Sequence, residues 1–222
     1  MREAVARRRS VRAFLDRPVP GEVIRRVLTE AARAPSGGNL QPWHIDVVAD
    51  EALDRFRAIV AQKMEETPRG EAERDYDVYP KALTAPYTDR RFAVGESLYA
   101  VLGVAREDKQ GRLKWYKRNA ELFGAPMALF CFVDRQMGPP QWSDLGMFLQ
   151  NVMLLCEAEG LATCAQEYWA SWPRTVAGFL GTPDNRMLFT GMAIGWPDPD
   201  HAINRHDAGR VDLADFVAFH GV

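Results

Sequence analysis

The chain has 222 residues, of which 47% are hydrophobic, 26% charged and 10% aromatic, so it can bury a full core in one or two domains. This composition excludes disordered, collagenous and disulfide-stapled classes, whose chains hold far fewer apolar residues or far more glycine, proline or cysteine. A net charge of -2 and an isoelectric point of about 6.1 give no global attraction for nucleic acid or an anionic membrane, so we expect neither as a partner.

The first periodic signal lies in residues 21–34. Apolar residues recur there on one face of a helix, with Pro20 suited to its start and Pro35 to its end. The segment 36–39, Ser-Gly-Gly-Asn, is typical of a loop, and residues 45–48 predict a short strand.

Residues 50–120 carry the weakest pattern. We expect a helix over 54–66, followed by exposed loop up to about Arg91, because Pro68 and a dense mixture of charges interrupt any periodicity. We predict that the whole chain forms one domain over residues 1–222, with a polar insertion or lid at about 65–120.

The second half contains the strongest core signals. The continuous apolar run 127–133 predicts a central buried strand. We expect Ser143 to cap a helix over 144–159 that Gly160 ends, and apolar residues around most of this helix predict burial in the core or between subunits. Residues 188–194 predict a further strand.

The cysteine and histidine spacings indicate a reduced protein without a metal site. Cys131, Cys156 and Cys164 form an odd set without CxxC spacing, and two of them lie in apolar runs, so we expect core thiols of a cytoplasmic protein. The four histidines show no ligand spacing with these cysteines. The longest uncharged apolar stretch, 145–156, is shorter than the ~20 residues of a membrane span.

Three guanidinium groups and a hydroxyl lie within the segment Arg8-Arg9-Ser10-Val11-Arg12. Guanidinium groups bind phosphate bidentately and keep their charge, so this segment favours a phosphorylated cofactor. The alternative is a solvated basic turn, since arginine outnumbers lysine throughout the chain.

A second candidate segment covers residues 35–43, Pro-Ser-Gly-Gly-Asn-Leu-Gln-Pro-Trp. Its glycines allow a flat ligand to approach the backbone, and the amides of Asn39 and Gln41 both donate and accept hydrogen bonds. The uracil-like edge of a flavin needs this mixture, because its N3 donates while O2 and O4 accept. An ordinary helix-to-strand loop is the alternative.

These two segments, in this order, resemble the FMN-dependent nitroreductase family, which has an Arg-x-Ser-x-Arg/Lys element followed by Pro-Ser-x-x-Asn-x-Gln-Pro-Trp. The resemblance continues through residues 119–126, 160–164 and 191–196 to Arg210, and so spans nearly the whole chain. It implies an α+β (α/β-type), nitroreductase-like three-layer fold with a central mixed sheet flanked by helices. It also implies an intertwined homodimer with one FMN in each cleft between the subunits.

The resemblance further implies which residues contact the cofactor. By this resemblance, Arg8, Ser10 and Arg210 hold the phosphate, and Arg12 lies near N1 and O2 of the flavin. The loop residues 36–41 reach the flavin of the other subunit, and the segment 165–167 lines the isoalloxazine with a backbone N–H near N5. Many members have proline where this chain has Ala165. The complete set is Arg8, Arg9, Ser10, Arg12, Pro35, Ser36, Gly37, Asn39, Gln41, Asn119, Ala165, Gln166, Glu167 and Arg210.

By the same resemblance, FMN takes a hydride from NADH or NADPH and passes electrons from N5 to an acceptor in a ping-pong scheme, so we predict no catalytic side chain. The expected acceptors are nitroaromatic (nitrobenzoate-like) or quinone-like, since residues 86–125 resemble the nitrobenzoate reductase branch. One alternative is a reductive dehalogenase of the iodotyrosine deiodinase branch, whose Glu-x-x-x-Tyr pair has no counterpart between residues 51 and 121. The other is a flavin-binding protein without turnover.

Overall fold

The computed structural model describes residues 1–221, with seven α-helices and four strands in that range. In chain order these are α1 (Arg2–Arg7), α2 (Gly21–Ala31), β1 (His44–Ala49), α3 (Asp50–Glu66), α4 (Tyr87–Val101), α5 (Lys109–Lys117), β2 (Met127–Asp134), α6 (Pro139–Ala158), β3 (Ala162–Gln166), α7 (Pro173–Leu180) and β4 (Arg186–Gly195). Short 3-10 turns connect several of them, including one over Ala202–Arg205.

The four strands form a single sheet in the order β1-β2-β4-β3, and every neighbouring pair is antiparallel. This corrects the mixed sheet that the resemblance implied. Strands β2 and β3 run in the same direction with β4 inserted between them, so α6 connects them as a split crossover. Within residues 1–221 the one parallel pairing is an isolated bridge between Ser10 and Thr163. The α+β class, with helices flanking both faces of the sheet, is confirmed.

Strand β2 separates the core into two layers. Because side chains alternate along a strand, its odd-numbered residues pack toward α2 and α6 and its even-numbered residues toward α3 and α7. All seven residues from Met127 to Val133 are at most 3% exposed, so the predicted central buried strand is confirmed.

Helix α6 begins earlier than predicted, and Ser143 does not cap it. Proline suits the first turn of a helix, where backbone N–H groups have no partner within the helix, so Pro139 and Pro140 begin α6 rather than end the preceding segment. Ser143 lies inside the helix, and its hydroxyl donates to the carbonyl of Pro140 at 2.6 Å. The predicted end is confirmed, with Gly160 at a φ of 77° directly after the last turn.

The expected loop up to Arg91 is wrong in its last part, because α4 begins at Tyr87. No residue of α4 is buried within the chain, so the helix has no apolar face that periodicity could reveal. Helix α3 likewise begins at Asp50, four residues before the predicted start.

All three cysteines are free thiols buried in the core, as predicted. Burial raises the pKa of the Cys164 thiol to about 11, although Arg12 and Arg8 oppose that shift. No group of three potential metal-ligating side chains lies together within residues 1–221. None of the helices in that range is both long and apolar enough to cross a membrane.

Gly191 in β4 provides a test of the packing between the sheet and the helical layer. A Cβ atom there would collide with the indole of Trp169, which is fully buried. We expect Gly191→Ala to lower the free energy of unfolding by about 1–3 kcal/mol, because the overpacked ring must move. Urea denaturation followed by circular dichroism measures the change. Gly178→Ala is the matched control: no atom lies within 4 Å of its added Cβ, so equal losses in both variants would contradict this account.

Candidate functional site

Five of the predicted site residues meet around one cavity of about 100 Å³. We call it the arginine cavity; the five are Arg8, Arg9, Ser10, Arg12 and Arg210. Val94 of α4 and the segment 206–208 complete its lining. Residues about two hundred positions apart in the chain therefore lie together.

The N-terminal segment is held against the sheet by backbone and amide hydrogen bonds. Ser10 bridges to Thr163 of β3, and the Val11 N–H donates to the Thr163 carbonyl at 3.0 Å. Asn204 accepts the Arg12 N–H at 2.9 Å and donates its amide to the Ala13 carbonyl at 2.8 Å. These contacts fix the backbone that carries the arginines and leave the guanidinium groups free to bind a ligand.

The arginine cavity carries an excess of positive charge. Within residues 1–221, none of its four guanidinium groups lies within ion-pair distance of a carboxylate, and Asp207 is the one acidic residue in the lining. Arg12 and Arg9 donate instead to backbone carbonyls, at 3.1 and 3.4 Å. Unpaired guanidinium groups beside a serine hydroxyl are the donor set that a phosphate monoester dianion requires.

The predicted segment 165–167 lies at the far end of β3 from the bridge at Thr163. Gln166 is buried, and its amide donates to the backbone and side-chain oxygens of Asn119 at 2.9 and 3.2 Å. Its carbonyl oxygen accepts from the indole of Trp169 at 3.3 Å. The side chain of Gln166 is therefore fully engaged, whereas Ala165 and Glu167 on either side are exposed.

The predicted loop residues lie beside α6 and do not line the arginine cavity of their own chain. The backbone is in the left-handed region at Gly38, Asn39 and Gln41, with φ of 58°, 57° and 49°. Such strain persists where the surroundings impose it. The Gln41 N–H donates to the Ser36 hydroxyl at 2.9 Å, which closes the loop on itself. Pro35 and Gly37 belong to the same exposed segment.

Helix α6 holds this loop at two points one helical turn apart. The carboxylate of Asp144, which is 5% exposed, accepts the Gly37 N–H at 3.2 Å. Phe148 stacks on Trp43, with ring centroids 4.9 Å apart and planes 16° apart. The loop is thus presented outward in a fixed shape.

Sequence reasoning missed three residues of this region. Asp144 sits in an apolar helix, and Asn204 and His206 sit in a polar segment without a motif. Their position shortly before Arg210 was the one available hint for the last two. The contacts that reveal them join segments far apart in the chain.

Comparisons with known proteins agree with these observations. Residues 5–196 match the model of the Nitroreductase family. The chain is 34% identical to the chloronitrobenzene nitroreductase of Comamonas testosteroni over 96% of this chain and 93% of that protein. It is 33% identical to the 4-nitrobenzoate reductase of a Nocardioides species, over 98% and 89%. The solved structure of the FMN and NADPH-dependent nitroreductase NfnB from Sphigopyxis sp. strain HMH superposes with a TM-score of 0.96, at 48% identity, covering 100% of this chain and 99% of that one.

Proposed function

Because the chain belongs to the nitroreductase family, we propose that it is an FMN-dependent NAD(P)H oxidoreductase that reduces nitroaromatic acceptors. The observation that carries this proposal is the arginine cavity, whose unpaired guanidinium groups face a single phosphate-sized space beside β3. Nitrobenzoate-like compounds are the acceptor class, with quinone-like compounds as the second. The nicotinamide donor is NADH or NADPH.

The residues of the arginine cavity fit the phosphate end of FMN. Arg8, Arg9, Ser10 and Arg210 bind the phosphate, and Arg12 extends toward N1 and O2 of the ring. At the other end of β3, the backbone of segment 165–167 lies along the isoalloxazine. Since the Gln166 side chain is occupied by Asn119 and Trp169, we assign the flavin contacts of this segment to its backbone.

Bound FMN supplies hydride and electron transfer between the nicotinamide and the acceptor. The chain binds the phosphate, orients the ring and places a fixed positive charge at Arg12, where negative charge develops on reduction. No side chain is required as a general acid or base, in keeping with the ping-pong scheme.

We propose that the working unit is a homodimer with FMN at the subunit interface. The loop 35–41 is strained, mostly exposed and does not line the arginine cavity of its own chain, as a contribution to the other subunit requires. Helix α4 has no buried residue, and residues 207–221 form a tail without a buried residue that exposes Phe216 and Phe219 at 68% and 64%. A second copy would cover these surfaces. The segment 65–120 then serves as a lid over a small aromatic substrate.

We further propose that residues 1–222 form a single domain and that the protein is cytoplasmic. Three reduced, buried thiols support the location, because disulfides are rare in that compartment.

A visible spectrum combined with NAD(P)H oxidation tests the function. We expect a yellow protein that oxidises NADH or NADPH slowly alone and faster with 4-nitrobenzoate. A colourless protein that takes up no FMN would refute the proposal. A yellow protein that neither nicotinamide reduces would instead favour flavin binding without turnover, and turnover with an iodotyrosine but not with nitrobenzoate would favour the dehalogenase.

A further inference from the structure

His206 lines the arginine cavity without having been predicted as a site residue. Its Nε2 lies 2.8 Å from the hydroxyl oxygen of Ser97 on α4. Four guanidinium groups and the carboxylate of Asp207 share the lining with it. The imidazole is thus the one titratable group near neutral pH in a cavity suited to a dianion.

The hydrogen bonds of Ser97 assign the proton on this ring. The Ser97 hydroxyl donates to the Val94 carbonyl at 3.0 Å, so its single proton is already used. With the Ser97 proton on the Val94 carbonyl, Ser97 accepts from Nε2–H of His206. The unprotonated nitrogen of the neutral ring is Nδ1, and it is the atom that can take up a proton.

The groups around His206 favour the neutral imidazole when no anion is bound. Burial and the Arg12 guanidinium lower the pKa of His206, and Asp207 opposes them. On α4, the carboxylate of Glu96 is bound to Arg112 at 2.6 Å and does not offset the arginines. With no ligand, the imidazole is neutral at pH 7.

A phosphate dianion reverses this balance. A phosphate monoester carries close to two negative charges above its second pKa of about 6, and an opposite charge within a few ångströms favours the protonated imidazole. Binding of the phosphate therefore raises the proton affinity of the ring.

We propose that His206 binds the FMN phosphate as a fifth cation of the arginine cavity and takes up one proton from solvent at Nδ1 as the phosphate arrives. This inference rests on the proposed function, because it requires that the cavity receives FMN. It makes FMN retention dependent on pH above neutrality and links that dependence to α4 through Ser97.

The test measures the dissociation constant of FMN between pH 7 and 8.5, from the fluorescence of flavin released as the full-length holoenzyme is diluted. Proton uptake on binding makes this constant rise with pH by up to about tenfold per unit. The range begins at pH 7 because the ionisation of the FMN phosphate itself dominates lower down. His206→Gln should abolish the rise, whereas His201→Gln, in a histidine outside the cavity, should keep it.

Riboflavin, which lacks the phosphate, should bind the wild type without this pH dependence. A pH-independent constant in the wild type, or the same rise in His206→Gln, overturns the proposal. Failure of the protein to bind FMN at any pH refutes the proposed function instead, so the two failures are distinguishable.

Discussion

Replacing Arg12 by alanine should slow the reduction of bound FMN by NAD(P)H by about a hundredfold, the typical loss when one preorganised electrostatic donor is removed. In the proposed site, Arg12 stabilises the negative charge that develops near N1 and O2 of the ring. Its removal should also lower the midpoint potential of the flavin, by about 30 mV for each tenfold loss of preference for the reduced form.

The structure makes this substitution informative because the Arg12 backbone is anchored independently of its side chain. The Arg12 N–H donates to Asn204, and the guanidinium donates to the Ser10 carbonyl alone among the described residues. Arg12→Ala should therefore leave the fold of the N-terminal segment intact. Stopped-flow absorbance of the flavin gives the rate, and equilibration with a reference dye gives the potential.

Two variants separate the charge of Arg12 from general effects of the arginine cavity. Arg12→Lys keeps the positive charge and should recover part of the rate and of the potential. Arg210→Ala should mainly weaken FMN retention, by about tenfold to a hundredfold for the loss of one charge-assisted hydrogen bond, with little change in potential. If both alanine variants match the wild type in FMN affinity and reduction rate, the cofactor site is misplaced.

The sequence predicts those elements whose burial is complete within one chain. Strand β2 is buried on both faces and reads as an unbroken apolar run, and α2 buries one stripe that periodicity reveals. Helix α4 is not predicted because none of its residues is fully buried by the described part of its own chain, residues 1–221. The predicted start of α6 is too late because a pair of prolines, here Pro139 and Pro140, is typical both of a loop and of a first helical turn.

Some residues of the candidate site also have a local sequence signal, whereas others are placed only by contacts between distant segments. The arginines at 8, 9 and 12 are recognisable as an anion-binding segment because they are adjacent in the chain. Arg210 was assigned through the family resemblance, because no local pattern joins it to a segment about two hundred residues earlier. His206 and Asn204 have no local signal either, since their roles come from long-range hydrogen bonds to Ser97 and Arg12. The parallel bridge at Ser10 brings the N-terminal segment beside β3.

The C-terminal tail exposes two large apolar side chains that a second subunit could cover. Phe216 and Phe219 are mostly exposed, and no residue of the tail from 207 to 221 is buried in its own chain. Phenylalanines this exposed contribute little to the core of their own chain, whereas full burial against a second copy contributes about 1.5–3 kcal/mol for each ring.

The double substitution Phe216→Ser and Phe219→Ser should therefore weaken the homodimer by about two to four orders of magnitude in its dissociation constant. Sedimentation velocity across a range of protein concentrations measures this change. The far-ultraviolet circular dichroism spectrum should stay unchanged, because the tail adds nothing to the core. FMN occupancy should fall as the dimer dissociates, since in the proposed homodimer each cofactor site takes its loop 35–41 from the other subunit. Ile59→Ser, an exposed apolar side chain on α3, should preserve both dimer and cofactor; a stable dimer in the double variant would show that the tail lies outside the interface.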